Sequence, residues 1–178
     1  MRTRSDATQA AVRKQAPPGA ATGQKVPRVQ EIMTSDVEAC NPTTDLAAAA
    51  MVMWRRDCGF LPVVDTVTRG VVGVITDRDI CMAVATKGRR ASEIQASEVV
   101  SGKAHTCAPS DPIRSALEVM RANRVRRLPV VDAQGALTGV LSLNDVVLHA
   151  RSRGRETGPE REDLLRAYEA ICEHLQPV

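Results

Sequence analysis

The sequence predicts an α/β (α+β) fold built from two similar halves, each a small three-stranded sheet with two helices, followed by a C-terminal helix. Two observations lead there. The segment "PTTDLAAAAMVMWRRDCGFLPVVD" from Pro42 reappears as "PSDPIRSALEVMRANRVRRLPVVD" from Pro109, a shift of 67 residues. Within each copy the apolar spacing also switches from helical to that of short aliphatic strands. A half of about 55 residues cannot bury both faces of its own sheet, so the two copies are expected to pack against each other.

The elements follow in order. Residues 1–27 contain "QAPPGAATGQKVP", polar and without periodicity, and read as a flexible basic tail. The first copy occupies 28–86. After a short strand opening, Thr44 precedes Leu46, Ala50 and Met53 at helical spacing. Strands at Phe60 to Val64 and Val71 to Ile75 flank a turn carrying "TRG", and a second helix runs from Asp77 to Ala85. Residues 87–95 read as a linker. In the second copy, 96–150, Asp111 precedes Ile113, Leu117 and Met120, with Pro112 suited to the first helical position. Strands follow at Leu128 to Val131 and Ala136 to Leu141 around "DAQG", then a helix from Leu143 to Ala150. One extra residue in the first turn shortens the shift to 66, which pairs Gly73 with Gly139 and Asp79 with Asp145. Residues 151–178 hold a polar linker and an amphipathic helix from Glu160 to Leu175, with Leu164, Tyr168, Ile171 and Leu175 on one face. That helix is expected to cover the chain's own surface or contact a second subunit, rather than receive an unknown partner.

Composition removes several function classes. No apolar run approaches the roughly 20 residues that span a bilayer, so no membrane association and a cytoplasmic location are expected. Arg2, Arg4, Arg13, Lys14 and Lys25 stand against Asp6 in the tail, so of the net +3 the tail holds +4 and the body −1. The body is not basic, and Trp54, Phe60 and Tyr168 are the only aromatics, too few for base-stacking platforms. Nucleic acid is therefore not an expected partner. Five cysteines without C-x-x-C suggest buried reduced thiols rather than disulfides or a metal site. Cys40 and Cys107 occupy equivalent positions, where packing is favoured over a redox-sensitive pair. His105, His149 and His174 form no nucleophile–base pattern, so no catalytic residues are assigned.

The chemistry sits in "GVITDRD" and "GVLSLND", both Gly-hydrophobic-x-Thr/Ser-x-x-Asp. A hydroxyl where a strand enters a helix lies beside unpaired backbone N–H groups, which favour a phosphate. A carboxylate one turn later can accept two hydrogen bonds from a ribose. The same pattern is close to a capping box that satisfies the helix alone. Its appearance twice, at matching repeat positions, tips the reading toward a ligand.

Together with the "LPVVD" strands and the lead-ins "VQEIMTSDV" and "ASEVVSGKA", these motifs make residues 28–150 resemble a pair of CBS domains, named after cystathionine β-synthase, which together form a Bateman module. The resemblance implies a regulatory, non-catalytic module binding AMP, ADP, ATP, NAD or S-adenosylmethionine between the copies, with no required cofactor. Asp79 and Asp145 would take ribose, Thr76 and Ser142 ribose or phosphate, and Val74 and Val140 the base. Arg126 and Arg127 would meet phosphate; the first copy has Gly59 and Phe60 there, so the Ser142/Asp145 side is expected to be the better site. The resemblance also implies a homodimer signalling to a separate client protein. The alternatives are a structural pair without ligand and a nucleic-acid-associated regulator using the tail.

Overall fold

A computed structural model describes residues 26–100, 102, 104–152 and 159–173. Most of the basic tail, His174 and Leu175 lie outside these residues. In the first half, α1 (Leu46–Arg55) buries Leu46, Ala49 and Met53, spaced three and four apart on one face. β1 (Phe60–Val64) and β2 (Val71–Thr76) form an antiparallel hairpin that leads into α2 (Asp77–Lys87). The second half repeats this with α3 (Ile113–Asn123), β3 (Arg127–Val131), β4 (Leu137–Ser142) and α4 (Leu143–Ser152). Both hairpins carry the same irregularity, after Val63 and after Val130. The same aspartate organises each turn. Asp65 Oδ1 accepts the N–H groups of Val67 and Thr68, and Asp132 Oδ1 those of Gln134 and Ala136.

The helix starts differ from expectation by one residue. The cap of α1 is Asp45, whose carboxylate accepts the Ala48 N–H at 2.9 Å, while Thr44 accepts from Asn41 in the preceding turn. Likewise Pro112 occupies the cap position itself, and Asp111 accepts the Ala108 N–H at 2.8 Å. The expected third strand of each sheet contracts to one parallel bridge, Cys40 to Val63 and Cys107 to Val130. Cys40 donates to Pro62 O at 3.0 Å and accepts from Val64 N–H at 2.8 Å. Pro42 and Pro109, two residues on, lack the N–H that would continue the ladder.

The lead-in segments cross between the halves. Val29 N–H donates to Asp111 O at 2.9 Å, and Thr34 exchanges two bonds with Val140 at 3.0 and 2.9 Å. Val29 is thus buried in the core of the second half, with Val26, Ile32 and Met33 packed against it. Residues 26 and 27, assigned to the tail from sequence, already belong to this contact. Conversely Leu46 N–H donates to Ile94 O, and Ile94 and Ala96 complete the core of the first half. Ile94 therefore turns part of the apparent linker into core.

These crossings explain the motif glycines. A Cβ on Gly139 would lie 2.7 Å from Thr34 O, and one on Gly73 2.2 Å from Val100 Cγ1. Each glycine is where a lead-in passes against the second hairpin strand. Finally α5 (Pro159–Cys172) lies on α3 and α4, burying Ala167 and Ile171, with Arg114 Nε 2.7 Å from Asp163 Oδ2. It thus covers the chain's own second half. Tyr168, placed on the docking face by spacing, is 56% exposed, because Ala167 faces the contact instead.

Candidate functional site

Strand alternation divides each hairpin into two faces. Leu128, Val130 and Leu141 are fully buried in the core, so Arg127, Pro129, Val140 and Ser142 present the opposite face. Register pairs Arg127 with Ser142 and Pro129 with Val140. In the first half it pairs Phe60 with Thr76 and Pro62 with Val74. The two hairpins also touch, through a bridge from Gly70 to Ala136 and through the Arg127 guanidinium, 5.9 Å from the centre of the Phe60 ring.

Between them lies a cleft of about 440 Å³. Thr34, Val37, Pro62, Val140 and Phe60 border it together with Ser142, Asp145 and Arg127, and its rim carries Asp36, Glu38, Arg55, Arg56 and Asp57. Four of the eight residues singled out from sequence, Val140, Ser142, Asp145 and Arg127, therefore meet in one place. Thr76, Asp79 and Val74 occupy the equivalent positions of the first half and do not border this cleft. Arg126 is exposed and does not border it; its carbonyl accepts the Leu143 N–H. Arg126 stands in the bend just before β3, which begins at Arg127. The lead-in residues Thr34, Asp36 and Glu38 were not singled out by sequence, although Thr34 and Asp36 stand in the quoted "VQEIMTSDV" stretch and Glu38 follows it directly. Their signal was the repetition of that lead-in itself.

Both junctions are closed by the same three hydrogen bonds. Ser142 N–H and Oγ donate to Asp145 Oδ2 at 2.8 and 2.7 Å, and Asp145 N–H donates to Ser142 Oγ at 3.2 Å. Thr76 and Asp79 reproduce these distances. The capping box is therefore real in each half. It employs one carboxylate oxygen, and the Oδ1 atoms of Asp79 and Asp145 accept no hydrogen bond among the described residues.

On the rim, Arg56 is 3.0 Å from Asp36 and 3.2 Å from Glu38, and Arg55 is 3.8 Å from Glu38. The hydrogen bond to Asp36 raises the pKa of Arg56 further. Arg127, Asp57 and Asp145 form no ion pair among the described residues. The thiols of Cys40 and Cys107 belong to separate cores, where burial pushes them up to about 11 and about 12. They form no redox pair. Cys81 and Cys172 are exposed, against the expectation of buried thiols throughout. Among the described residues no helix is long and apolar enough to cross a membrane, and no group of three or more His, Cys, Asp or Glu could hold a metal ion.

Comparison with known proteins matches this architecture. The CBS domain family model matches residues 29–86 and 96–151. The CBS domain-containing protein YhcV of Bacillus subtilis is 33% identical over 129 residues, covering 70% of this chain and 86% of YhcV. Hypoxic Response Protein I, solved with two coordinated zinc ions, superimposes with a TM-score of 0.63 at 28% identity, covering 69% of this chain and 98% of that one. CBSX2 of Arabidopsis thaliana, solved in complex with AMP, gives a TM-score of 0.61 at 25% identity, covering 72% and 98%. With two matched repeats, two crossed cores and a cleft between facing hairpins, the chain belongs to the CBS domain family and is a tandem CBS pair.

Proposed function

We propose that this CBS pair is a regulatory sensor that binds an adenosine-containing nucleotide in the cleft between β1 and β4 and signals, as a homodimer, to a separate protein rather than catalysing a reaction. The observation that carries the reading is the convergence of Val140, Ser142, Asp145 and Arg127 on one cleft of about 440 Å³, within the roughly 300–1,000 Å³ of small-molecule sites. Val140, Val37 and Pro62 offer an apolar slot for a base. The Asp145 Oδ1 atom is available to a ribose, and Arg127 supplies a guanidinium for phosphate. The complex of CBSX2 with AMP, a protein of the same fold, supports this chemistry.

Thermal unfolding against AMP, ADP, ATP, NAD and S-adenosylmethionine tests it. A ligand at about 100 times its Kd adds roughly 2.7 kcal/mol, an increase of about 5–10 °C in Tm for a chain of this size. Asp145→Ala is expected to abolish that shift, and Asp79→Ala to weaken it less. A flat panel from a cooperatively unfolding protein favours a purely structural pair. That second reading has its own observation in the two capping boxes, already closed without any ligand.

A further inference from the structure

We infer that the cleft admits a single phosphate and discriminates against longer phosphate chains, with Asp57 as the residue that sets the limit. The inference rests on the nucleotide reading above and specifies its ligand. Among the described residues three cations border the cleft, but Arg55 and Arg56 are engaged by Glu38 and Asp36. Arg127 is left as the guanidinium without a carboxylate partner among the described residues. One such group matches one phosphate.

What lies beyond Arg127 is acidic. Arg127 also borders a second cavity of about 450 Å³, walled by Met53, Trp54 and Ile80 and by Asp57 and Asp77, with no other cation among the described residues. Asp57 and Cys58 border both spaces. A phosphate chain turning back across the cleft meets Asp36 and Glu38 already paired with Arg56 and Arg55, a rim with no unpaired cation to offer it; continuing past Arg127 in the other direction, it meets Asp57 and Asp77. Each added phosphate brings about one more negative charge to a region that is already negative.

The repeat shows that this charge is a property of the first half alone. Asp57 corresponds to Arg124, and both adopt the left-handed conformation, with φ of 47° and 53°. Gly59 corresponds to Arg126, and Asp77 corresponds to Leu143, which is buried. Where the second half carries two arginines and an apolar side chain, the first half carries an aspartate, a glycine and another aspartate. The backbone at position 57 thus has a conformational precedent for arginine within the same chain.

The experiment is calorimetric titration of the full-length protein with adenosine, AMP, ADP, ATP and S-adenosylmethionine in EDTA at fixed ionic strength. It is run on the wild type, Asp57→Asn and Asp57→Arg, with melting curves for each. The wild type is expected to bind AMP at least about tenfold more tightly than ATP, and Asp57→Arg to narrow that ratio about tenfold. Asp57→Asn should narrow it by less, and adenosine affinity should hold within about threefold in all three proteins. Should Asp57→Arg fail to fold, Asp57→Asn alone must still narrow the ratio. ATP binding as tightly as AMP, or a ratio indifferent to both substitutions, overturns the inference and leaves the nucleotide reading in place. Binding of S-adenosylmethionine without AMP does the same. If adenosine and every derivative fail to bind the folded wild type, the nucleotide reading falls and this inference falls with it.

Discussion

Glu98 shows how one side chain fastens two segments. Its carboxylate accepts the Gln95 backbone N–H at 3.0 Å, Lys87 Nζ at 3.1 Å and an Arg89 nitrogen at 2.7 Å. It thereby ties the end of α2 to the lead-in that crosses into the first half. The backbone bond foremost, then Lys87 and Arg89, lower its pKa from 4.5 to about 2. A carboxyl depressed on folding stabilises the native state above its unfolded pKa, and that contribution disappears as pH falls through the folded value. Glu98→Gln is therefore expected to lower Tm at pH 7 while leaving it close to wild type near pH 2. Melting curves across the window between pH 4.5 and 2 check this. A difference that stays constant down to pH 2 would show that the charge is not what matters.

At the scale of elements, the glycine of each Gly-h-x-Thr/Ser-x-x-Asp motif serves the fold and the hydroxyl–carboxylate pair serves the junction. Gly139 has Thr34 O at 2.7 Å and Met33 Sδ at 2.9 Å from its would-be Cβ, whereas Gly73 faces only the Val100 side chain. A backbone carbonyl that accepts the Val140 N–H, in a residue whose own N–H donates to Val140 O, yields less readily than a side chain. Gly139→Ala is expected to cost about 1–3 kcal/mol, the range for overpacking, and more than Gly73→Ala. Denaturant unfolding of both variants measures this, and an unchanged midpoint for Gly139→Ala would refute the close approach. The motif is legible as a unit, but its glycine and its aspartate answer to different neighbours.

For the whole molecule, the crossed lead-ins make the two halves interdependent. Val29 is fully buried in the core that holds Ile113, Leu117 and Leu141 of the second half, a contribution of about 1.5–3 kcal/mol from that side chain alone. Deleting residues 1–34 is therefore expected to destabilise the second half although every deleted residue lies in the tail or the lead-in of the first copy. Hydrogen exchange should accelerate more in β3 and β4 than in β1 and β2. Equal acceleration, or a change confined to the first hairpin, would contradict the crossing. The same arrangement places Thr34 beside Val140 at the cleft, so the segment that completes the core also walls the site.

Local features are legible in the amino-acid sequence. Strands β1 and β2 and helices α2 and α4 lie within two residues of where alternation, Asp-initiated turns and strand-to-helix junctions place them, since these depend on neighbours within one or two turns. The second hairpin, read from Leu128 and Ala136, begins within one residue at each strand. Ser142 and Asp145 are legible for the same reason. The remainder is long-range. Two lead-ins of similar pattern could each pack on either half, and only burial of Val29, Ile94 and Ala96 decides the exchange. Arg126 and Arg127 are equivalent by composition, and it is the facing hairpin, through Phe60, that selects Arg127. The acidic rim of Asp36, Glu38 and Asp57 comes from a lead-in and a helix end that only the tertiary fold brings to the same cleft. Sequence alone determined the repeated elements and the hydroxyl–carboxylate junctions, because their hydrogen bonds are local; the tertiary structure decided core membership and the charge around the cleft, because those depend on which distant segments share one buried space.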